Sequence, residues 1–395
     1  MAIAGFLLDL DGTLIDSNRT HTLAWVEAFE KHGYRVAEDR LALEIGKGGD
    51  QLVGDVLGVE AEKKAGDAIR ETQQKAFARR AGRDGLPVMP GAEALLAALR
   101  ARGIRTALAT SSSSEGIEVA ERASGVMWSV LVDEVVDASD IERTKPHPDV
   151  VRAACDKLRL HPAQCALLGD TPWDARAARA GGVVMAGITS GGRDGKVLRR
   201  AGARSVYRDA AELVDRLDDV LRLLSPATIP LDAAGLTELM RHALHAAEEG
   251  MLAGEVPIGA VLARGDGTIV ARGHNRFNET GNQARHAEID AFEQAAGKLS
   301  LDDRDAILVS TLEPCVMCTG AAMEVAVDTI LYALTAPEDS GTLRVTPPES
   351  PENQMPRIVG RVLERESRAL FESWLERPNH NVAQEKYVRR LLAKT

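Results

Sequence analysis

Phe6-Leu7-Leu8-Asp9-Leu10-Asp11-Gly12-Thr13-Leu14 is a short apolar run that ends in two carboxylates one residue apart. Residues i and i+2 of a strand point to the same side, so Asp9 and Asp11 can face one site. A lone Asp-x-Asp is often only a turn. Here further signals follow in order. Thr110 ends Thr106-Ala107-Leu108-Ala109, Lys145 precedes Pro146-His147-Pro148-Asp149, and Gly169-Asp170 ends Ala166-Leu167-Leu168, with Asp174 four residues on. Each lies just past a buried-type strand, at the carboxyl edge where open α/β sheets carry their sites. Strand and helix signals alternate over residues 1–224, which predicts a doubly wound α/β unit. The helix-rich stretch from about 15 to 88 interrupts the sheet after its first strand and reads as an inserted helical cap.

At 395 residues the chain is too long for one ordinary core and long enough for two. Ser225-Pro226-Ala227-Thr228-Ile229-Pro230 marks the seam, within a linker over 225–231. Beyond it Leu236, Leu239, Met240, Ala243 and Ala247 share one helical face. A hairpin follows, Ile258–Arg264 returning through Gly265-Asp266-Gly267 as Thr268–Arg272. Residues 232–395 are therefore read as a second α/β unit with its core over about 236–336. An extension, 337–395, begins proline-rich (Pro347, Pro348, Pro351, Pro356) and then shows helix-like stretches around Ile358–Leu375 and Val382–Leu392.

The second unit carries His286-Ala287-Glu288 and Pro314-Cys315-Val316-Met317-Cys318. One imidazole and two thiolates form a zinc donor set that leaves a fourth position for water. Glu288, not itself a ligand, can then move protons between that water and a leaving amine. Apolar-periodic residues follow both motifs, so each should open a helix, whose free N–H groups favour thiolate over thiol. A structural zinc site would need a fourth protein ligand, and a redox Cys-x-x-Cys has no use for His-x-Glu.

Glu255-Val256-Pro257-Ile258-Gly259-Ala260, Gly273-His274-Asn275 and Leu312-Glu313-Pro314-Cys315-Val316-Met317-Cys318 resemble the cytidine-deaminase-like superfamily. The branch is that of cytosine, guanine and tRNA adenosine deaminases, over about residues 236–336. The resemblance implies a three-layer α/β/α fold with zinc on His286, Cys315 and Cys318, Glu288 as acid/base and Asn275 contacting the base. Arg285 stands where the tRNA branch usually carries a small residue. It either meets an anionic group of the substrate or turns away to cap a helix or pair with a surface carboxylate.

The amino-terminal motifs resemble the haloacid dehalogenase superfamily over about residues 3–222, which implies a Rossmann-like fold with a helical cap. By that resemblance Asp9 is the nucleophile, Asp11 the general acid/base, and Thr110 and Lys145 bind the phosphoryl group. Asp170, with Asp9 and Asp174, holds magnesium. A carboxylate can attack phosphorus once a hard cation and a lysine neutralise the phosphoryl charge. Gly46-Lys47-Gly48-Gly49 resembles the loop such caps lower onto the substrate, with Lys47 either a contact or a solvated surface lysine.

Net charge is −11. Residues 1–230 carry 31 Lys and Arg against 34 Asp and Glu, and residues 231–395 carry 17 against 25, so the acidity concentrates on the second half. A polyanion grip needs a basic footprint, which argues against tRNA as substrate. Arg357, Arg361, Arg365 and Arg368 interleave with Glu364 and Glu366 and read as a solvated helix face. Four cysteines are too few for a disulfide scaffold. Cys155 and Cys165 read as buried thiols, and His242, His245, His147 and His161 are given no role. The amino terminus reads as a sheet strand instead of a signal peptide, and no stretch approaches a membrane span; a cytoplasmic setting is expected. Together these readings describe a magnesium phosphomonoester hydrolase joined to a zinc deaminase of a nucleobase, nucleoside or nucleotide metabolite. A homodimer through the deaminase half is expected by resemblance; the alternatives are a tRNA adenosine deaminase with an appended phosphatase, or a chain in which one half is a non-catalytic scaffold.

Overall fold

A computed structural model describes residues 3–225, 233–299, 305–346, 355–378 and 381–395. Linker residues 226–231 and Pro347, Pro348 and Pro351 lie outside them. The chain forms two compact units that meet in sequence at residues 224 and 225.

The first unit is built on six parallel strands: β1 (Gly5–Leu8), β2 (Arg105–Ala109), β3 (Glu134–Val136), β4 (Cys165–Gly169), β5 (Val184–Ile188) and β6 (Ser205–Tyr207). Their order is β3-β2-β1-β4-β5-β6. Both faces are buried, and the side chains divide by parity. Phe6, Leu8, Leu108, Leu168 and Ala186 join one core with Leu95, Leu96 and Leu99 of the helix Ala92–Ala101. Leu7, Ala107, Leu167 and Met185 join the other with Val150, Val151 and Ala154 of Asp149–Leu158 and Ala177 and Ala178 of Pro172–Gly181. Helices on both faces are why these strands read as unbroken apolar runs. Strand order reverses at β1, with β2 on one side and β4 on the other, which opens a crevice at their carboxyl ends.

Four helices, Asn18–Lys31, Glu38–Glu44, Gly49–Leu57 and Val59–Asp84, make the insertion after β1. They have a core of their own around Trp25, Phe29, Leu41, Leu52, Val53 and Ile69. The bridge Ile15↔Val88 and the bond from Asp16 N–H to the Pro87 carbonyl close its two-stranded stem.

The second unit has five strands: β7 (Gly259–Ala263), β8 (Ile269–His274), β9 (Ile307–Leu312), β10 (Thr329–Leu334) and β11 (Arg357–Val359). Their order is β11-β10-β9-β7-β8; β7 runs antiparallel to β8 and β9, while β9, β10 and β11 are parallel. Ala260, Leu262, Leu308, Ile330 and Ile358 share a core with Ala287, Ala291 and Ala322, from the helices Ala287–Gln294 and Val316–Glu324. Helix Ala233–Leu252 covers the opposite face, so close that a Cβ at Gly259 would lie 2.2 Å from the Ala243 carbonyl.

The extension departs from its reading in one place. Arg357-Ile358-Val359 is a fifth strand against β10, not the start of a helix, because Ile358 and Val359 bury on opposite faces of a sheet edge that needs a partner. Arg357 is accordingly buried and belongs to no solvated helix face. The helices Glu364–Leu375 and Val382–Lys394 then fold back, packing Phe371, Trp374, Val388 and Leu391 against Met251, Leu312 and Leu334. Phe371 is fully buried there, so Phe371→Ala should cost about 3–5 kcal/mol in chemical denaturation. A loss confined to the second unit's transition is expected, with the first unit's unchanged.

Candidate active sites

Three functional groups of the first unit leave the carboxyl ends of central strands. Asp9 follows β1, Thr110 follows β2 and Asp170 follows β4. Gly12 makes the turn after Asp9: its φ is +79°, and a Cβ there would lie 2.4 Å from an Asp170 carboxylate oxygen. Thr171 caps helix Pro172–Gly181 in a reciprocal box with Asp174, which fixes that carboxylate beside Asp170.

Asp9, Asp170 and Asp174 are all buried, and their oxygens lie within 4.8 Å of one another. Lys145 Nζ stands 2.5 Å from Asp9 Oδ1 and 2.7 Å from Asp174 Oδ1, itself only 1% exposed. Thr13 Oγ1 donates to Asp170 at 3.2 Å, and Asn18 Nδ2 donates to its other oxygen at 2.8 Å. Burial pushes the Asp9 carboxyl well above its usual range; Lys145 opposes this, and the neighbouring carboxylates add to it. Burial, then Asp174, pushes Asp170 up to about 7. Burial works against the Lys145 ammonium, but Asp174 and Asp9 outweigh it and raise its pKa. Three crowded carboxylates against one ammonium form a donor set of hard oxygens with charge to spare, which suits a divalent cation.

Asp11 is in a different state. Ser17 Oγ and His21 Nε2 donate to Oδ1 at 2.6 and 3.0 Å, and Ser112 Oγ donates to Oδ2 at 2.8 Å. Burial opposes ionisation, but His21 and these hydroxyls hold the carboxyl down to about 2. Asp11 is thus ionised at neutral pH, its charge held by these three donors. His21 comes from the first cap helix, stacks on Phe77 with ring centroids 3.9 Å apart, and takes a bond from Gln73 to Nδ1. Sequence reading missed His21, Asn18 and Ser112. Only the position of His21, ten residues after Asp11 on a helix starting at Asn18, hints at its reach. A cavity of about 500 Å³ opens above, lined by Asp9, Asp11, His21, Trp25, Gln73 and Ser112 among others.

In the second unit His286 and Cys315 are the N-cap residues of the helices Ala287–Gln294 and Val316–Glu324. Both Cys315 Sγ and Cys318 Sγ lie 3.5 Å from His286 Nδ1. A tetrahedral ion bonded to nitrogen and sulfur at about 2.0–2.3 Å requires such an edge of about 3.5 Å. A hydrogen bond from the Cys318 thiol draws Cys315 down to about 4, and the same contact and burial push Cys318 up. Glu288, 4% exposed, accepts from Ser310 Oγ at 3.0 Å and from the Cys318 thiol at 3.3 Å. Burial pushes its carboxyl up, towards the range of a proton carrier.

Asn275 is buried, its amide N–H bonded to the Ile258 carbonyl and its Nδ2 donating to Glu255 Oε2 at 3.1 Å. Glu255, fully buried, also accepts from Glu279 N–H at 2.9 Å. It orients Asn275, a role sequence reading did not assign. Arg285 forms an ion pair with Glu293 and is 24% exposed. Cys155 and Cys165 are free and buried; His245 pairs with Glu248 and Glu249 on the helix surface. Among the described residues no helix is long and apolar enough to cross a membrane.

Metal ligation needs ionised carboxylates, so divalent-cation affinity of the first unit should fall by up to about tenfold per pH unit below about 7, where Asp170 takes up its proton. In the metal-free protein the sign reverses. A carboxyl raised from 3.8 to about 7 stabilises the fold at low pH and loses that contribution as pH rises through about 7. Magnesium titrations by calorimetry and thermal unfolding at pH 5.5 and 8 should show both trends, and Asp170→Asn should flatten them.

The haloacid dehalogenase-like hydrolase family matches residues 3–182, and the cytidine and deoxycytidylate deaminase zinc-binding region matches residues 235–334. The validoxylamine A 7'-phosphate phosphatase of Streptomyces hygroscopicus subsp. limoneus is 30% identical over 190 residues, 47% of this chain and 84% of that protein. On the other side, the tRNA-specific adenosine deaminase of Streptococcus pyogenes is 36% identical over 105 residues, 26% of this chain and 65% of that protein. The tRNA(Ile)-lysidine synthase of Deinococcus radiodurans is 41% identical over 112 residues, 28% of this chain but only 19% of that protein. Its first unit places the chain among the haloacid dehalogenase-like hydrolases, and its second unit carries a match to the cytidine and deoxycytidylate deaminase zinc-binding region.

Proposed function

We propose that the chain is a bifunctional enzyme, a magnesium-dependent phosphomonoester hydrolase and a zinc-dependent deaminase of a nucleobase, nucleoside or related nucleotide metabolite. The observation that carries the deaminase reading is the placement of Glu288, a buried carboxylate 3.3 Å from a thiol of the His286, Cys315 and Cys318 cluster, yet tied to Ser310. Zinc held by those three residues would supply the Lewis acid that makes water a nucleophile near neutral pH. Glu288 takes a proton from that water as the water oxygen bonds to the ring carbon, and passes it to the amine, which departs as ammonia when the C–N bond breaks. Asn275, held by Glu255, orients the ring.

In the first unit Asp9, Asp170 and Asp174 would hold magnesium, whose charge offsets that of the phosphoryl group. An Asp9 oxygen bonds to phosphorus as the ester P–O bond breaks, the leaving oxygen takes its proton through Asp11, and Lys145 and Thr110 hold the phosphoryl oxygens. Asp11 then takes a proton from water, which attacks the aspartyl phosphate and releases phosphate and a free Asp9.

The acidity of residues 231–395, 17 basic against 25 acidic side chains, favours a small substrate over tRNA. A second reading, a tRNA adenosine deaminase with an appended phosphatase, is favoured by the identity to the Streptococcus pyogenes enzyme. Filter binding of transcribed tRNA at moderate salt separates the two. A cytoplasmic homodimer joined through the second unit completes the proposal.

Glu288→Ala should abolish ammonia release while zinc stays bound, because the carboxylate moves protons and does not ligate. Cys315→Ala should lose both. Asp9→Asn should end phosphate release and leave ammonia release near the parent level, since the sites belong to separately cored units. Zinc loss from Glu288→Ala, measured by metal analysis, would contradict the role given to that residue.

A further inference from the structure

The cap loop before helix Gly49–Leu57 rests on the two core residues that adjoin the phosphoryl machinery. Gly46 meets Thr171, next to Asp170: a Cβ at Gly46 would lie 2.6 Å from Thr171 Cγ2. Gly48 meets Thr144, next to Lys145, where a Cβ would lie 2.2 Å from Thr144 Oγ1. Between them Lys47, paired with Glu44 and Asp55, lies 4.0 Å above the Trp173 ring. Its side chain is only 6% exposed, so it is no solvated surface lysine. Arg193 of the core also donates to the cap's Ala42 carbonyl at 2.5 Å.

The directed contact is Asp50. Its carboxylate accepts from the Thr144 hydroxyl and, at 3.3 Å, from the Thr144 amide N–H. Gln51 donates to the same carboxylate at 2.8 Å. Burial works against ionisation of Asp50, but the Thr144 bonds hold its carboxyl below the usual range. On the far side of the threonine, the Lys145 amide N–H donates to Ser111 Oγ at 3.4 Å, and the lysine side chain spans Asp9 and Asp174. One cap carboxylate therefore grips, by side chain and amide N–H, the threonine that directly precedes the phosphate-binding lysine.

We propose that Asp50 is a positioning residue for phosphoryl transfer: by holding Thr144 it fixes the backbone of Lys145, so the lysine takes its transfer geometry only with the cap down. The proposal rests on the phosphatase reading of the first unit. The small residues at 46 and 48 let the loop approach closely enough for Asp50 to reach, and Asp50 supplies the directionality that packing alone lacks. A cap that has not closed would leave the lysine loosely held, which couples substrate enclosure to catalysis.

The test uses the full chain with magnesium and para-nitrophenyl phosphate. Asp50→Ala and Thr144→Val should each lower kcat about threefold to tenfold, the range for a partly exposed charge-assisted bond. Thr144→Ser should restore the parent kcat, and the Asp50→Ala/Thr144→Val pair should be no worse than the poorer single variant. Hydrogen exchange over residues 143–147 should quicken in Asp50→Ala, with strand β2 unchanged. Parent kcat in both single variants, losses that multiply in the pair, no rescue by serine, or unchanged exchange would each overturn the proposal. If the parent released phosphate from no ester, the phosphatase reading would fail, and the exchange arm would still decide whether Asp50 holds the lysine's backbone.

Discussion

Three buried carboxylates crowded around one lysine set the terms for the first unit. Asp9, Asp170 and Asp174 repel one another in a site that water barely reaches, and Lys145 alone neutralises only part of that charge. Such a cluster persists because the surrounding fold over-determines it. Each carboxylate leaves a different β-strand end or helix cap, and each of those is anchored by a fully apolar core on both faces of the sheet. The excess negative charge is what a divalent cation can use, and such a cation would in turn offset the charge of a phosphoryl group. Asp11, two residues after Asp9, escapes the crowding because a histidine and two serines solvate it, so two carboxylates of one short loop are held in opposite protonation regimes.

The second unit solves a related problem with softer donors. Two helices begin at the His286, Cys315 and Cys318 cluster, with His286 and Cys315 as their first caps, and their free N–H ends favour the thiolate form. Glu288 sits one residue inside the first helix and Cys318 in the first turn of the second, so helix geometry alone brings the Glu288 carboxylate to the cluster. Ser310, from the central strand β9, holds the carboxylate from the other side. In both units the reactive groups ride on the ends of rigid elements, and the substrate-facing groups come from the cap or the connecting loops.

Those features that depend on local order were legible in the sequence. Apolar strands ending in Asp9, Thr110 and Asp170, and helices opening at His286 and Cys315, are periodic signals that need no knowledge of distant contacts. The hidden features are tertiary. His21 and Asn18 look like ordinary helix residues until the cap folds over Asp11 and Asp170. Glu255 shows its purpose only when it meets Asn275, twenty residues later. Strand β11 escaped notice because three residues carry too little alternation to separate them from the helix that follows. Asp50 gave no signal at all, since its partner lies 94 residues away.

The central claim is that one chain holds two independent hydrolytic sites. The most direct measurement is a screen of the zinc-loaded chain, with and without magnesium, for ammonia and phosphate release over nucleobases, nucleosides, nucleotides and sugar phosphates. The account predicts ammonia from a free base or small nucleoside irrespective of magnesium, and phosphate from a monoester only when magnesium is present. Ammonia release that requires magnesium, or neither product from any compound in the screen, would contradict it.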